Sequence, residues 1–191
     1  MQASRSSEFN IAQREILLAH ARESIRHGLD QGRPLPVCAS NVDRALRAER
    51  ASFVTLQLGG ELRGCIGSIE ARNPLIEDVA HNAFAAAFRD PRFPSLRKSD
   101  FDGLEIHISI LTPMSPIVAD NEAALLAALQ PGVDGILLRQ GAYRSTFLPQ
   151  VWEQLPEPRE FLRHLRRKAG LLDHFDPRAT YFRYGVEAFT E

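Results

Sequence analysis

The segment SFVTLQLGGELRGCIGSI, residues 52–69, restricts the fold more than any other part of the chain. Two runs rich in β-branched and aliphatic residues flank Gly59 and Gly60. A glycine pair accepts the positive φ angles that a tight hairpin turn requires. We therefore expect two antiparallel strands joined at these glycines, and hence a sheet with antiparallel pairing.

The register of this hairpin follows from its turn. If the two glycines form the loop, the facing pairs are Leu58 with Glu61, Leu56 with Arg63, and Val54 with Cys65. Side chains that face each other across two strands lie on the same side of the sheet. The sequence thus predicts that Cys65 shares a face with Val54.

The clearest helix follows in NPLIEDVAHNAFAAAFRDPRFP, residues 73–94. Asn73 is a candidate N-cap, Pro74 suits the first helical position, and the pair Asp90-Pro91 ends the pattern. Apolar residues recur at helical spacing over a wide face. We expect the helix over residues 74–89 to cover the sheet that contains the hairpin.

The remaining elements alternate irregularly between helices and strands. The sequence predicts a first helix that starts at Ser6 or Ser7 and ends at Gly28, a second hairpin that turns near Gln140-Gly141, and one last strand over residues 179–189. Hairpins and helices without strict β-α alternation indicate an α+β fold of mainly antiparallel β-sheets flanked by helices. No Pro/Gly/Ser linker divides the chain, so we expect residues 1–191 to form a single domain or two intimately packed subdomains, that is, two tightly joined lobes.

Composition excludes several classes of function. The net charge of −1 gives no whole-molecule attraction to nucleic acid or to an anionic membrane. No apolar run approaches the ~18 residues of a membrane span, and the first residues lack the pattern of a signal peptide. We expect a cytoplasmic protein. The basic run at Arg159, Arg163, Arg166, Arg167 and Lys168 is interpreted as the solvated face of a helix.

Cofactor motifs are also missing from the sequence. There is no C-x-x-C and no H-x-x-x-H pair, so we expect no metal and no iron–sulfur cluster. Neither glycine-rich phosphate-binding motif occurs, which argues against nucleotide binding in a standard mode. The prediction is a protein without a cofactor.

Cys65 is the candidate for chemistry. It stands between Gly64 and Gly67, which leave the strand thin enough for a ligand to approach, and Arg63 could favour the thiolate form. A catalytic thiol also needs a base, for which His107 and His81 are candidates. The alternative is a small buried thiol whose glycines let a helix pack tightly. The second cysteine, Cys38, is interpreted as a half-buried loop thiol.

Five segments in order, LRGCIG, DPRFP, SILTP, FLPQVW and KAG, resemble the AMMECR-type domain family, whose prokaryotic members are called AmmeMemoRadiSam system protein A. The resemblance covers nearly the whole chain and implies a two-lobed α+β fold. Residue by residue, it extends to Arg63, Gly64, Cys65, Gly67, Asp90, Arg92, Phe93 and Pro94. His107 stands where archaeal-type members tend to carry an acid.

The resemblance implies which genes lie next to this one, but it does not identify a reaction. Relatives are often encoded beside a Memo-like protein and a radical-SAM protein, which makes these two the expected partners. The first hypothesis is a component of a modification system that binds a small molecule or a peptide in a cleft near Cys65, with Asp90, Arg92, Phe93 and Arg63 as binding residues. The second is a non-catalytic adaptor that docks one of the partners. Whether the chain is an enzyme stays open.

Overall fold

A computed structural model describes residues 7–38, 40 and 42–191. The helices are α1 (Ile11–Gln31), α2 (Arg44–Arg47), α3 (Leu75–Phe88), α4 (Glu122–Ala128) and α5 (Pro158–Lys168), with 3₁₀ turns at Lys98–Gly103 and Pro149–Glu153. The strands are β1 (Ser52–Leu58), β2 (Glu61–Gly67), β3 (Leu104–Leu111), β4 (Ser115–Ile117), β5 (Gly135–Gln140), β6 (Tyr143–Phe147), β7 (Thr180–Tyr184) and β8 (Val186–Thr190). The chain forms two compact units: the first runs to Leu111 and includes Glu187–Glu191, and the second is Thr112–Val186.

The first unit contains a four-stranded sheet in the order β2-β1-β3-β8. Strands β1 and β2 form the predicted hairpin around Gly59 and Gly60, both of which have positive φ. Helix α3 packs on β1 and β2 and against α1. Its apolar face joins strand residues such as Ile106 and Ile108 in one fully buried core. The predicted hairpin and its covering helix are confirmed.

The second unit contains a four-stranded sheet in the order β4-β7-β5-β6. Strand β7 pairs antiparallel with β4 and with β5, and β5 and β6 form the second predicted hairpin. The apolar side of α5 covers the sheet, with Phe161 stacked on Trp152 at 3.7 Å between ring centroids. Two antiparallel sheets flanked by helices confirm the α+β class. Within the described residues, no helix is long and apolar enough to cross a membrane.

The first helix differs from the prediction at both ends. Its N-cap is Asn10, whose side chain accepts from the Gln13 N–H while the Gln13 side chain accepts from the Asn10 N–H. Ser6 lies outside the described residues, and the Ser7 hydroxyl donates to Phe9 O instead of capping the helix. The helix continues past Gly28 to Gln31 and ends at Gly32. A Cβ at Gly28 would lie 2.4 Å from a ring carbon of Phe88, so this glycine permits the close packing of α1 on α3.

Two further boundaries were predicted wrongly. Pro74 is the N-cap residue of α3 and no side chain caps that end, so Asn73 does not have the predicted role. The expected last strand is two strands, β7 and β8, which belong to different sheets. The break falls at Gly185, whose N–H donates to the Thr112 hydroxyl and whose carbonyl accepts from the Thr112 N–H.

Candidate functional site around Cys65

The register of the first hairpin contains a β-bulge. Gln57 lies opposite Leu62 and Leu56 opposite Gly64, so Arg63 is the extra residue of β2. A bulge of one residue moves every later side chain to the other face of the sheet. The predicted pairing of Leu56 with Arg63 and of Val54 with Cys65 is therefore wrong by one position.

Because of the bulge, Cys65 lies opposite Thr55 and on the same face of the sheet as Thr55. The Thr55 hydroxyl donates to the Cys65 Sγ atom at 3.2 Å. The thiol is free and its residue is half-buried. Val54, in contrast, is buried in the core on the side that α3 covers. Cys65 thus lies on the face of the sheet away from α3.

The segment after α3 forms a local structure that we call the first DPR clamp, residues Asp90, Pro91 and Arg92. Asp90 O accepts the Phe93 N–H, which closes a turn with proline at its second position, as β-turns favour. The Asp90 carboxylate accepts the Arg92 N–H at 3.1 Å and the guanidinium at 2.9 and 2.7 Å. These hydrogen bonds from Arg92, with a smaller one from the backbone of Cys65, hold the pKa of Asp90 well below its usual range.

The first DPR clamp fastens the edge of the sheet at Cys65. Strand β2 is an edge strand, whose outward N–H and C=O groups lack a neighbouring strand. The Cys65 N–H donates to Asp90 Oδ2 at 2.9 Å, and Arg92 Nη2 donates to the Cys65 carbonyl at 3.3 Å. Both backbone groups of the cysteine are satisfied by one clamp, so its backbone is held in place. In the structure, Asp90 and Arg92 therefore pair with each other in a local clamp that also holds the sheet edge.

Arg63 and Phe93 extend this cluster. The bulged Arg63 donates from Nη2 to Pro94 O at 2.8 Å. The guanidinium carbons of Arg63 and Arg92 lie 6.0 and 5.4 Å from the centroid of the Phe93 ring, within the range of cation–π interactions. The structure thus brings the residues of LRGCIG and DPRFP together. Arg63 contacts Pro94 and Phe93, whereas Arg92 donates to the carbonyl of Cys65.

The two glycines beside Cys65 make room for protein atoms. A Cβ at Gly64 would lie 2.1 Å from the carbonyl oxygen of Ala86 in α3. A Cβ at Gly67 would lie 2.2 Å from a ring carbon of Phe53 and 2.6 Å from Ser52 O. Helix packing explains Gly64 and strand packing explains Gly67, so protein atoms, and not a ligand, occupy the space that the sequence assigned to ligand approach.

The candidate bases lie away from the thiol. His107 is opposite Thr55 on β3, in the same row of the sheet as Cys65 but two strands away. Two strand spacings amount to about 10 Å, which is too far for direct proton transfer. Its Nε2 atom contacts Gln57 Oε1 at 3.1 Å. His81 is exposed on α3, which packs on the other face of the sheet.

Sequence reasoning missed a buried carboxylate at the open end of the hairpin, opposite to its turn. Asp78, on the first turn of α3, accepts hydrogen bonds from the N–H and hydroxyl of Ser52, the hydroxyl of Ser68 and the amide of Asn82. Burial raises the pKa of Asp78, against the opposing effect of the hydrogen bonds from Ser52 and Ser68. Asp78 was hidden in the sequence because a charged residue in a first helical turn is usually a solvated one.

A second DPR clamp, residues Asp176, Pro177 and Arg178, lies in the second unit and was also missed. Asp176 O accepts the Ala179 N–H, and the Asp176 carboxylate accepts the Arg178 N–H at 2.9 Å and its guanidinium at 3.0 and 2.7 Å. In both clamps the arginine N–H, Nε and Nη2 groups donate to the carboxylate of the aspartate two residues earlier. The recurrence of the tripeptide D-P-R was the signal that could have found it.

The structure also gives the positions of the second cysteine and of the basic run. Cys38 is exposed, not half-buried, and its Sγ contacts the hydroxyl of Ser40 at 3.0 Å, a hydrogen bond that lowers the pKa of this thiol. Arg166 is buried, so the interpretation of the whole basic run as a solvated face is wrong at that residue. In the described ranges, no group of three or more His, Cys, Asp or Glu residues could hold a metal ion.

Residues 18–189 match the AMMECR1 family. The chain is 36% identical over 148 residues to a protein of Methanothermobacter thermautotrophicus, covering 76% of this chain and 77% of that one. It is 37% identical over 165 residues to a protein of Methanopyrus kandleri, covering 82% and 77%. The crystal structure of an uncharacterized protein from Pyrococcus horikoshii is similar, with a TM-score of 0.82 and 30% identity over 93% of this chain and 90% of that one. The chain therefore belongs to the AMMECR1 family.

Proposed function

We propose that this protein is a component of a radical-SAM- and Memo-associated modification system, and that it binds a small molecule or a peptide beside Cys65. The observation that carries the proposal is the way the cysteine is held. Its backbone is fixed by Asp90 and Arg92, while its free thiol lies half-buried on the opposite side of the sheet from α3. A fixed backbone that presents one polarisable group is suited to contact a ligand in a defined orientation.

The neighbours of the thiol support binding more than nucleophilic catalysis. Thr55 donates to the sulfur at 3.2 Å, and this hydrogen bond orients the thiol. His107, the histidine in the same row of the sheet, is engaged with Gln57 and lies about 10 Å away across two strands. A ligand lying on this face of the sheet would contact Cys65 and Thr55 in one row and Gln57 two residues further along β1. Membership of the AMMECR1 family supports the association with the two partner proteins.

One observation favours the second candidate function, a docking adaptor without chemistry. The charged groups nearest the cysteine, Asp90 and Arg92, are engaged in fastening the sheet edge. Beside them, Leu62 is 42% exposed, a large apolar side chain at the same strand edge. Such a surface, with Arg63 and Phe93 adjacent, has the aromatic and arginine content of protein interfaces.

Purification of the protein from its native host, followed by mass spectrometry of bound proteins and small molecules, tests both candidates. We expect a Memo-like protein, a radical-SAM protein and a bound small molecule or peptide with the wild type. Cys65→Ser should keep the proteins and lose the ligand, and the matched control Cys38→Ser should keep both. Retention of everything by Cys65→Ser, with loss of the partners in Leu62→Asp, would favour the adaptor. Recovery of neither partner would contradict both candidates.

A further inference from the structure

A cavity of about 290 Å³ lies within the second unit and contains none of the residues of the cluster around Cys65. Its lining comes from β5, β6, α5 and β7 and from the loop that joins α5 to β7. Sites for small molecules in proteins begin at about 300 Å³. The cavity therefore has room for a small ligand.

Asp176, the acidic residue of the lining, is already engaged by the protein. Its carboxylate accepts the Arg178 N–H at 2.9 Å, Arg178 Nε at 3.0 Å and Nη2 at 2.7 Å, and the Gln140 amide at 2.8 Å. The Arg178 guanidinium also balances the charge of this carboxylate. Asp176 is therefore a fixed part of the cavity wall that positions Arg178.

Arg178 and Tyr181 each have a hydrogen-bond donor without a protein acceptor in the described ranges. Arg178 uses its Nε and Nη2 groups for Asp176, which leaves its Nη1 group, and its side chain is 80% exposed. The Tyr181 hydroxyl accepts from Arg166 Nε at 3.0 Å, and burial raises the pKa of Tyr181, so the hydroxyl keeps its own proton at neutral pH. Both donors can therefore bind a ligand that carries acceptor oxygens.

The second guanidinium of the lining, Arg166, is shared by two acids. Its Nη1 and Nη2 groups donate to Glu122 at 3.0 and 2.6 Å, and Asp173 Oδ1 lies 3.7 Å from Nη1. Neither acid is among the residues that line the cavity. A guanidinium has five N–H donors, enough for two carboxylates. Arg178, which is paired with one carboxylate, therefore has the capacity for a second.

The other polar groups of the lining add no negative charge. His174 is exposed, and its ring offers an N–H donor in either neutral tautomer. The Gln140 amide and the Tyr143 hydroxyl are uncharged. The lining thus combines one carboxylate with two guanidiniums and one imidazole, so it favours an anionic group over a cationic one.

Two large side chains of the lining are exposed. Tyr143 is 55% exposed and Leu172 is 76% exposed. Exposed aromatic and aliphatic groups that converge on a cavity are typical of ligand sites. A tyrosine ring also offers a flat surface on which another aromatic ring can pack. The ligand is therefore expected to have an apolar body as well as acceptor oxygens.

We propose that this cavity binds a small aryl carboxylic acid in its ionised form. The carboxylate accepts hydrogen bonds from Arg178 Nη1 and from the Tyr181 hydroxyl, while the aromatic ring packs on Tyr143 and Leu172. Hydrogen bonds between a guanidinium and a carboxylate are stronger than those between neutral groups, so the charge of the ligand matters. The proposal is independent of the function proposed for Cys65.

Isothermal titration calorimetry of the full chain tests the proposal with benzoate, phenylacetate and 3-phenylpropanoate, with the amide of each acid, and with inorganic phosphate. We expect at least one carboxylate to bind. Its amide, which has the same ring but no charge, should bind at least tenfold more weakly. Phosphate, which has no ring, should also bind at least tenfold more weakly. Cys65→Ser should leave carboxylate binding unchanged, because Cys65 is not part of this cavity.

Arg178→Gln should weaken carboxylate binding at least tenfold, because a hydrogen bond to a charged group is lost. The matched control is Arg72→Gln, since Arg72 is also an exposed arginine paired with an acid two positions earlier, Glu70, but lies in the first unit. Tyr181→Phe, which removes only the hydroxyl, should weaken binding about tenfold. Tyr143→Ala should weaken it about fivefold through loss of ring packing.

Circular dichroism shows whether each variant is folded. If Tyr181→Phe does not fold, Arg178→Gln and Tyr143→Ala keep the test decisive, because both change exposed side chains. Failure of all three carboxylates to bind, equal binding of a carboxylate and its amide, or equal affinities of Arg178→Gln and Arg72→Gln would overturn the proposal. Loss of carboxylate binding in Cys65→Ser would also overturn it, since the ligand would then occupy the other site.

Discussion

The two DPR clamps have the same sequence and the same internal hydrogen bonds but different surroundings. In the first, Asp90 is 2% exposed in its side chain, and its spare acceptor binds a backbone N–H of the edge strand β2. In the second, Asp176 is 15% exposed, and its spare acceptor binds the side-chain amide of Gln140 at a cavity. One local structure therefore fixes a sheet edge in one unit and lines a cavity of about 290 Å³ in the other.

The difference shows which properties of the clamp are local. Aspartate before proline forms the turn, and arginine two positions later returns to the carboxylate. These interactions need no tertiary contact, and in both clamps the hydrogen bond from the arginine is the largest cause of the lowered aspartate pKa. The role of each clamp depends instead on the group that reaches its remaining oxygen.

The largest effect is expected where β2 packs directly on α3, one residue before the cysteine that the first clamp holds. In Gly64→Ala, the added Cβ would lie 2.1 Å from the backbone oxygen of Ala86, which cannot move without shifting the helix. We expect a loss of about 3 kcal/mol in the free energy of unfolding, measured by urea denaturation. The matched control is Gly103→Ala, whose Cβ would meet a Leu58 methyl at 3.1 Å and should cost far less. Equal stability of the two variants would show that the close approach of α3 to β2 is not required.

The next largest effect on stability is expected from the same substitution, aspartate to alanine, made in each of the two clamps. Asp90→Ala leaves the Cys65 N–H without its acceptor at a partly buried strand edge and should destabilise the protein by about 2 kcal/mol in the same urea assay. Asp176→Ala removes the same internal bonds, but its partner Arg178 is 80% exposed to water and no backbone N–H of a strand loses its acceptor, so the cost should be clearly smaller. If Asp176→Ala proved the more destabilising, the assignment of the fastening role to the first clamp would be wrong.

Low pH should remove the contribution of the first clamp to the free energy of unfolding. The pKa of Asp90 is lower in the folded state than in the unfolded state. The contribution of ionised Asp90 to the free energy of unfolding is therefore complete above the unfolded pKa of about 3.9, and it is lost as the pH falls toward the folded-state pKa. The stability difference between wild type and Asp90→Asn should therefore shrink as pH is lowered from about 5 toward 2. The raised pKa of Asp78 predicts the opposite trend for Asp78→Asn, since its ionised form is the one that folding disfavours. Parallel trends for the two variants in urea titrations over this range would contradict the comparison.

The sequence predicted the elements better than the contacts. The hairpin at Gly59-Gly60 and the helix over it could be predicted because turn chemistry and apolar periodicity act locally. The side of the sheet on which Cys65 lies could not be predicted. It depends on one bulged residue, Arg63, which the alternation of apolar and polar residues does not reveal. The association of DPRFP with LRGCIG came from the resemblance, whereas the Cys65–Asp90 hydrogen bond that joins them required the structure.

The second unit shows the same limit. Asp176, Pro177 and Arg178 are adjacent in sequence, so their turn was predictable, but the cavity that they line requires residues from three strands and one helix. The burial of Arg166 is equally a tertiary effect: Glu122 of α4 pairs with it across 44 residues of sequence. Local sequence patterns do not predict contacts between residues that are distant in the sequence.

The central claim is that the first clamp holds the backbone of Cys65 and leaves its thiol available to a ligand. Iodoacetamide labelling of the native protein in a Cys38→Ser background, quantified by intact-mass spectrometry, tests it most directly. The account predicts that Cys65 becomes alkylated in the folded state, to one label per chain, while the circular dichroism spectrum remains native. Alkylation that appears only after urea denaturation would mean that the thiol is enclosed by the fold, and would contradict the proposed role of Cys65 in binding.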